Sequence, residues 1–188
     1  MGRWEPDARG RMCEAAMQLY VEHGFEQTTV AEIAARAGVT ARTFFRHFTD
    51  KREVLFAGSE LLLQGMVAAL DDAPATATSL DAVTAALDAA AEFLGRNHAH
   101  SCQRQAVITA NPELLERELI KMARIAAALA EGLRCRGVPD PEATLAAEAG
   151  VVVLRVAFVT WVSRPDPTDL AATMHDTRAR LTATVCGP

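Results

Sequence analysis

Aromatic residues are scarce in this chain: only 5% of its 188 residues are Phe, Trp or Tyr, although 50% are hydrophobic. A hydrophobic core must therefore be built mainly from Ala, Leu and Val, and such a composition favours helices. The length is sufficient for a small unit followed by one larger helical domain.

Paired cysteines are also absent. The four cysteines lie far apart along the chain: Cys13, Cys102, Cys135 and Cys186. Without a Cys-x-x-Cys motif the sequence indicates neither a zinc site nor a disulfide framework, so free thiols are expected. A redox-sensing Cys102 or Cys135 is the alternative. His98, His100 and Cys102 carry metal-binding donors, but no fourth ligand lies near them in sequence, so we predict no metal.

The motifs of several enzyme classes are missing. The chain has no nucleophile elbow, no Gly-rich phosphate loop and no metal-binding helix motif. We therefore expect a protein that is not an enzyme and holds no cofactor, with an all-α enzyme as the alternative. No apolar stretch follows the charged N-terminus, and the longest apolar run, Ala149 to Val162, is too short to span a bilayer. These features predict a cytoplasmic protein without membrane contact.

Residues 29–52 predict two short helices joined by a tight turn. Thr29 and Glu32 have the spacing of a capping box that opens the first helix. Gly38 stands where the chain must leave that helix in a left-handed conformation, and Thr40 caps the second helix. This order of features is typical of a helix-turn-helix motif that binds DNA.

The second helix, Ala41 to Phe48, has an aromatic side and a polar side. Phe44, Phe45 and Phe48 are available to pack inward. The polar side holds four residues for outside contacts: Arg42, Thr43, Arg46 and His47. Such a helix suits the major groove, which admits one α-helix and offers base edges to Arg and Thr.

The net charge of −5 opposes DNA binding, but its distribution does not. Residues 36–52 contain five basic side chains and one acidic side chain, whereas residues 57–188 contain 11 basic and 16 acidic ones. All of the net acidity therefore lies in the second part of the chain. The alternative is that the basic run is only a solvated helix face.

Two segments resemble the TetR family of transcriptional regulators. Gly38 to Phe56, GVTARTFFRHFTDKREVLF, looks like the part that runs from the recognition helix of those proteins into the long helix after it. Tyr20 to Ala34, YVEHGFEQTTVAEIA, is similar to the end of their first helix, the Gly-Phe turn and the start of the second. Two residues differ from the family's pattern. Phe45 stands where the family often has a Tyr, and Ala41 stands where it often has a polar or basic residue. Beyond residue 56 only length and helix order are similar.

The resemblance implies an all-α fold with an N-terminal three-helix helix-turn-helix DNA-binding domain, residues 1–56, and a helical ligand-binding and dimerisation domain, residues 57–188. We expect Arg42 and Thr43 to contact base edges and Ala41 to make apolar contact. Phe45 takes the place of the family's Tyr at the DNA. The residues expected to hold the DNA backbone are Thr28, Thr29, Thr40, Arg46, His47 and Lys51.

The remaining chain predicts a series of helices. Their approximate ranges are 50–70, 80–97, 101–109, 112–135, 141–163 and 167–185. Asp50 and Glu53 form a second capping box that opens the first of them. Three later helices start with a side-chain cap before a proline: Asn111-Pro112, Asp140-Pro141 and Asp166-Pro167.

The last two helices are the predicted subunit interface. One has a surface of small residues: Ala143, Ala146, Ala147 and Gly150. The other has a line of larger ones: Leu170, Met174, Thr177 and Leu181. The family resemblance implies that two copies pair here into a four-helix bundle and bind a palindromic operator in double-stranded DNA. The alternative is that these surfaces pack within one subunit.

The resemblance also implies an effector site around Phe93 to Thr109. The candidate ligand-binding residues are Phe93, His98, Cys102, Arg104, Arg155 and Trp161. A small apolar or amphipathic molecule bound there would release a repressor from its operator. The alternatives are a collapsed core without a cavity and a DNA-binding dimer that responds to no effector.

Overall fold

The computed structural model describes residues 7–165 and 169–186, and all regular structure in these ranges is helical. The α-helices are α1 (Ala8–His23), α2 (Val30–Arg36), α3 (Ala41–His47), α4 (Ser59–Asp71), α5 (Ser79–Gly95), α6 (His98–Ala110), α7 (Pro112–Cys135), α8 (Asp140–Val162) and α9 (Leu170–Cys186). A 3-10 turn, Glu53–Phe56, precedes α4. The all-α prediction is confirmed.

The chain forms two compact units. The first contains the described residues up to Gly58 together with Gln103–Leu115, and the second contains Ser59–Cys102 and the described residues from Glu116 onward. Gln103–Leu115 belongs to the first unit because Val107, Ile108 and Leu114 are buried in its core. A division of function at residue 56 stays a prediction.

The core of the first unit brings α1, α2 and α3 together. Ile33 of α2 and Phe44 of α3 are fully buried, and Tyr20 meets Phe25 edge-on at 5.2 Å between ring centres. Gly38 has φ +69°, a conformation that other residues rarely adopt, so a glycine is required where α2 turns toward α3. The turn is closed by a 2.9 Å hydrogen bond from the Val39 amide to the Ala34 carbonyl.

The core of the second unit draws on α4, α5, α7, α8 and α9. Leu129 and Leu133 of α7 are buried, whereas Leu119 of the same helix is 49% exposed. The valine-rich run after Gly150 is helical, although valine favours strands, and its buried residues Val151, Leu154 and Ala157 follow helical spacing. Length and composition alone would allow Glu53–Asp71 and α8 to cross a membrane. In α8 much of that apolar surface is buried within the second unit.

The predicted helix over residues 50–70 is wrong at its start. Asp50 accepts hydrogen bonds from the amides of Arg52 and Glu53, at 2.8 and 3.1 Å. The carboxylate of Glu53 accepts a hydrogen bond from the amide of Thr49, at 2.7 Å. In the predicted capping box it would accept from the amide of Asp50 instead. These bonds tighten the chain into the 3-10 turn, and α4 starts only at Ser59.

Two of the proline starts lie where they were predicted, since α7 begins at Pro112 and α8 at Asp140, but their side-chain caps differ from the prediction. Pro139 occupies the N-cap position of α8, and the carboxylate of Asp140 pairs with Arg134 instead of capping the helix. The side-chain amide of Asn111 donates to the Val107 carbonyl at 2.6 Å, which closes the end of α6. The third predicted start, Asp166-Pro167, lies outside the described residues.

Most of the predicted interface residues of α8 and α9 are core residues, whereas Thr177 and Leu181 are half-buried. Ala143 and Ala147 are fully buried, and Leu170 and Met174 are no more than 2% exposed. Gly150 faces Val83 of α5 so closely that an added Cβ would lie 2.3 Å from the valine Cγ1. The small residues of α8 therefore allow close packing within one subunit, and they cannot form the subunit interface.

Candidate nucleic-acid interface

Side-chain caps set the ends of α2 and α3. The hydroxyl of Thr29 accepts from the Glu32 amide at 3.2 Å, and the Glu32 carboxylate accepts from the Thr29 amide at 2.8 Å, so the predicted capping box is present. These hydrogen bonds hold the pKa of Glu32 below its usual value. Thr40 caps α3 in the same way, since its hydroxyl accepts from the Thr43 amide at 3.1 Å. The capping hydroxyls stabilise the two helix starts that a DNA backbone would approach.

The exposed side of α3 differs from the prediction at one aromatic residue. Phe44 and Phe48 are buried and lie 5.4 Å apart, whereas Phe45 is 57% exposed. The Phe45 ring meets that of Phe44 edge-on, at 5.6 Å between ring centres, and lies on the surface with Arg42 and Arg46. Residue 45 is one position from Phe44 on a helix, so the two rings must point to different sides. Its phenyl group belongs to the outer surface of α3.

Arg42 and Arg46 differ from the other basic residues of this region. In the part of the chain that the structure describes, neither guanidinium forms a hydrogen bond or an ion pair, and both are exposed. By contrast, Arg36 pairs with Glu22 at 2.6 Å, and Arg52 pairs with Asp50 at 2.8 Å and Glu113 at 3.1 Å. Acidic partners therefore neutralise part of the basic run, and the uncompensated charge is concentrated on α3.

Lys51 is bound inside the first unit. Its ammonium group donates to the carbonyls of Phe25, Glu26 and Thr28, at 2.7, 3.1 and 3.0 Å. An ammonium group has three donors, so all three are used. A phosphate contact would require Lys51 to leave these carbonyls, and we assign it to holding the turn between α1 and α2.

Thr28 also has a different environment from the one expected. Its side chain is 1% exposed, and its hydroxyl donates to the Gly24 carbonyl at 2.9 Å. A hydroxyl buried in this way stabilises the turn and cannot reach a phosphate. The remaining expected DNA contacts are all at the surface or at its edge: Thr29, Thr40, Ala41, Arg42, Thr43, Phe45, Arg46 and His47.

Comparison with known proteins agrees with this geometry. Residues 13–57 match the family described as bacterial regulatory proteins, tetR family. The N-terminal part of the chain is therefore similar to the TetR family. The transcriptional regulator TcmR of Streptomyces glaucescens is 38% identical over 88 residues, which cover 47% of this chain and 38% of TcmR. Across four such curated relatives the matched region spans 38% to 58% of the relative's length.

Solved structures extend the likeness to nearly the whole chain. The TetR-family regulator PfmR from Thermus thermophilus is 27% identical, with a TM-score of 0.52 and coverage of 94% of this chain and 98% of PfmR. The regulator FadR from Bacillus subtilis, solved in complex with stearoyl-CoA, is 21% identical, with a TM-score of 0.63 and coverage of 92% and 96%. The latter likeness concerns the fold alone.

Three of the predicted ligand residues lie together in the second unit. The ring of His98 stands edge-on to Trp161 at 4.5 Å, and its Nε2 is 3.2 Å from the Trp161 carbonyl oxygen. The thiol of Cys102 lies 3.5 Å from the same nitrogen and donates to the Val162 carbonyl at 3.4 Å. Trp161 is 2% exposed. These contacts describe a packed cluster that joins α6 to the end of α8.

The other three predicted ligand residues lie elsewhere. Phe93 is half-buried beneath the guanidinium of Arg96. Arg104 belongs to the first unit, where its Nε donates to the Leu55 carbonyl at 2.8 Å and its guanidinium lies over Phe56. Arg155 is exposed on α8. Arg104 and Arg155 therefore have surroundings different from those of His98, Cys102 and Trp161.

An apolar cavity of about 220 Å³ lies instead between α5, α8 and α9 of the second unit. A more open groove of about 570 Å³ runs between α8 and α9. None of the predicted ligand residues lines either space. Periodicity could have indicated the inward positions of these helices, but not that the packing leaves a gap between them.

Among the described residues no three His, Cys, Asp or Glu side chains are grouped closely enough to hold a metal ion. Cys13, Cys102 and Cys135 are free thiols. Burial raises the pKa of the Cys13 thiol, which disfavours the reactive thiolate. The side chain of Cys186 lies outside the described residues.

Proposed function

We propose that this protein is a sequence-specific DNA-binding transcriptional regulator whose helix α3 enters the major groove. The observation that carries the proposal is the outer surface of α3, where uncompensated Arg42 and Arg46 flank the exposed Phe45. The buried rings of Phe44 and Phe48 support this surface from behind. Arginine pairs with guanine edges and phosphates, and an exposed phenyl group suits thymine methyl groups.

The proposed contacts divide into base contacts and backbone contacts. Arg42 and Thr43 contact base edges, while Ala41 and Phe45 make apolar contacts. Thr29, Thr40, Arg46 and His47 hold the sugar-phosphate backbone. Lys51 and Thr28 act indirectly by keeping the turn between α1 and α2 in place. Phosphate contacts position such a helix, and base contacts provide its specificity.

The regulator is proposed to act as a homodimer through α8 and α9. Four apolar residues of α8 are exposed on the isolated subunit: Leu145 at 70%, Val152 at 38%, Val156 at 47% and Val159 at 46%. Their spacing of seven, four and three residues places them along one side of the helix. The α8/α9 groove adjoins this stripe. A two-fold contact here would present two α3 helices to the half-sites of a palindromic operator.

A small apolar or amphipathic effector is proposed to bind the second unit and release a cytoplasmic repressor from its operator. The segment 50–70, which the sequence predicts to be one helix, is not continuous and cannot transmit ligand binding as a single rigid rod. Helices α6 and α7 each contribute residues to both units, and Arg52 pairs with Glu113 at the start of α7. We assign the transmission of ligand binding to these two helices. A regulator without effector and an all-α enzyme remain the competing functions.

The decisive experiment is selection of bound sequences from random duplex DNA, followed by titration of the selected and random duplexes at several salt concentrations. Arg42→Ala is expected to weaken binding of the selected sequence by about 1–3 kcal/mol and to relax one position of the site. Arg124→Ala is the matched control, because Arg124 is an exposed arginine of the second unit. It should leave both affinities unchanged.

Two results would contradict the proposal. Absence of salt-dependent DNA binding by the wild-type protein would exclude a DNA-binding regulator. Equal losses on selected and random duplexes for Arg42→Ala would exclude base recognition by this residue. A selected operator whose affinity no small molecule shifts would favour the regulator without effector.

A further inference from the structure

The cavity between α5, α8 and α9 has apolar walls and one cation at its edge. Its apolar wall includes Leu80, Val83, Leu87, Gly150, Val153 and Leu181. Arg178 of α9 also lines it. We infer that this cavity, and not the cluster around His98, is the effector site, and that it takes a short amphipathic carboxylate with the anionic group on Arg178. The inference rests on the proposed regulatory function.

The shape of the cavity follows from the packing of α8. At Gly150 the helix approaches Val83 of α5 so closely that no side chain fits between them. The neighbouring wall residues Val153 and Leu87 are each 2% exposed, so the apolar wall continues directly from the hydrophobic core. A ligand that enters this space contacts α5, α8 and α9 at once. Binding there can therefore change how these helices pack.

Part of the Arg178 guanidinium is available to bind a ligand. Its Nη1 donates to Asp81 Oδ1 at 3.2 Å and to Thr84 Oγ1 at 2.5 Å. Within the described residues, Nε and Nη2 form no hydrogen bond. A guanidinium edge made of Nε and Nη2 matches the two oxygens of a carboxylate. Asp81 fixes the guanidinium without occupying that edge.

The other polar groups at the cavity are already engaged. The Thr84 hydroxyl donates to the Leu80 carbonyl at 2.7 Å, and the Thr182 hydroxyl donates to the Arg178 carbonyl at 3.1 Å. Their donor hydrogens are therefore used within the helices. Recognition of a charged group then depends on Arg178, which favours an anion and disfavours an amine.

The volume limits the size of the ligand. Pockets for drug-sized ligands have volumes of about 300–1,000 Å³, and the 220 Å³ of this cavity is below that range. A short alkyl chain or a single ring fits such a volume, and its apolar surface would be removed from water by the wall residues. A carboxylate at one end would remain near the cavity mouth, where Arg178 is partly exposed.

The test measures binding of octanoate, octanol and octylamine to the full-length protein by calorimetry. Octanoate should bind at least about tenfold more tightly than octanol, because only its carboxylate can accept charge-assisted hydrogen bonds from Arg178. Octylamine should bind most weakly. Arg178→Gln should remove the preference for octanoate, and Ala149→Phe, which fills the cavity from its wall, should weaken both octanoate and octanol. The control Arg124→Gln should behave as wild type.

A second variant separates ligand recognition from a structural role of the ion pair. Asp81→Asn removes the carboxylate beside Arg178, so octanoate should bind as tightly as before or more tightly. A purely structural pair would make Asp81→Asn weaken binding as much as Arg178→Gln. That loss in Asp81→Asn would overturn the inference. So would equal affinity of the wild-type protein for octanol and octanoate, or wild-type affinity of Arg178→Gln for octanoate. Circular dichroism melting confirms that each variant is folded.

The DNA titration distinguishes the two proposals. A protein that binds its selected operator but not octanoate would overturn the carboxylate site and leave the regulatory function intact. A protein that binds octanoate through Arg178 but has no DNA affinity would overturn the proposed function. Octanoate that binds through Arg178 and weakens operator binding, with Arg178→Gln insensitive to it, supports both.

Discussion

The ammonium group of Lys51 donates a 2.7 Å hydrogen bond to the carbonyl of Phe25 and also lies 4.4 Å from the centre of the Phe25 ring. The backbone of Lys51 is also bound, because the Tyr20 hydroxyl donates to the Lys51 carbonyl at 2.6 Å. Lys51 is thus held at both its backbone and its side chain. It connects the end of α1 and the following turn to the segment after α3.

Lys51→Met is therefore expected to destabilise the protein without changing how its DNA binding depends on salt. Loss of the charge-assisted hydrogen bonds should lower the free energy of unfolding by about 2 kcal/mol. Urea unfolding measures the first effect, and DNA titration across salt concentrations measures the second. The control Arg46→Met should leave stability within about 0.5 kcal/mol and reduce the salt slope by about one. If Lys51→Met instead reduced the salt slope and left the free energy of unfolding unchanged, Lys51 would be a phosphate contact.

Gly150→Ala should destabilise the second unit without dissociating the dimer. The added methyl group would clash with Cγ1 of Val83, and overpacking of this kind costs about 1–3 kcal/mol. Val83→Ala makes room for it, so the double variant should be more stable than the sum of the single effects predicts. Urea unfolding of the four proteins of this cycle measures the coupling. Strict additivity would show that the two residues do not meet.

Val156→Asp should break the dimer and leave the subunit folded. Val156 is 47% exposed on the isolated subunit, so the aspartate is solvated in the monomer but would be desolvated in a paired α8. Sedimentation velocity at micromolar protein concentration measures the change. The control is Val21→Asp on α1 of the first unit, which is 53% exposed and should remain dimeric. A dimeric Val156→Asp protein would exclude this stripe from the interface.

The capping box of α2 should contribute to the acid sensitivity of the first unit. Hydrogen bonds from the Thr29 amide and hydroxyl lower the pKa of Glu32 in the folded state. The ionised group therefore stabilises the fold above the unfolded-state pKa of about 4.3, and this contribution is lost as the pH falls through the lower folded-state pKa. Glu32→Gln should make stability less dependent on pH in that window.

Urea midpoints between pH 3 and pH 7 test this dependence. The control Glu14→Gln, at an exposed position of α1, should follow the wild-type curve. If the Glu32→Gln and wild-type curves run parallel through the acid range, the cap makes no pH-dependent contribution.

The sequence by itself determined the features that depend on residues close together in the chain. The Thr29–Glu32 box, the Thr40 cap and the left-handed Gly38 involve partners within about four residues, so their chemistry can be inferred from spacing. The same is true of the helical nature of α5, α7 and α8. Family-specific residues around Gly38 to Phe56 extended this local information to a DNA-binding unit.

Only the tertiary structure decided which partner each side chain has across the chain. Lys51 is 26 positions from the carbonyl of Phe25, and the periodicity around a lysine does not distinguish a carbonyl from a phosphate. Gly150 could have faced a second subunit, but the packing of α8 on α5 buries it against Val83. Which edge of the Arg178 guanidinium can bind a ligand likewise depends on where Asp81 and Thr84 lie. Side-chain chemistry is local, whereas burial and pairing depend on how distant helices pack.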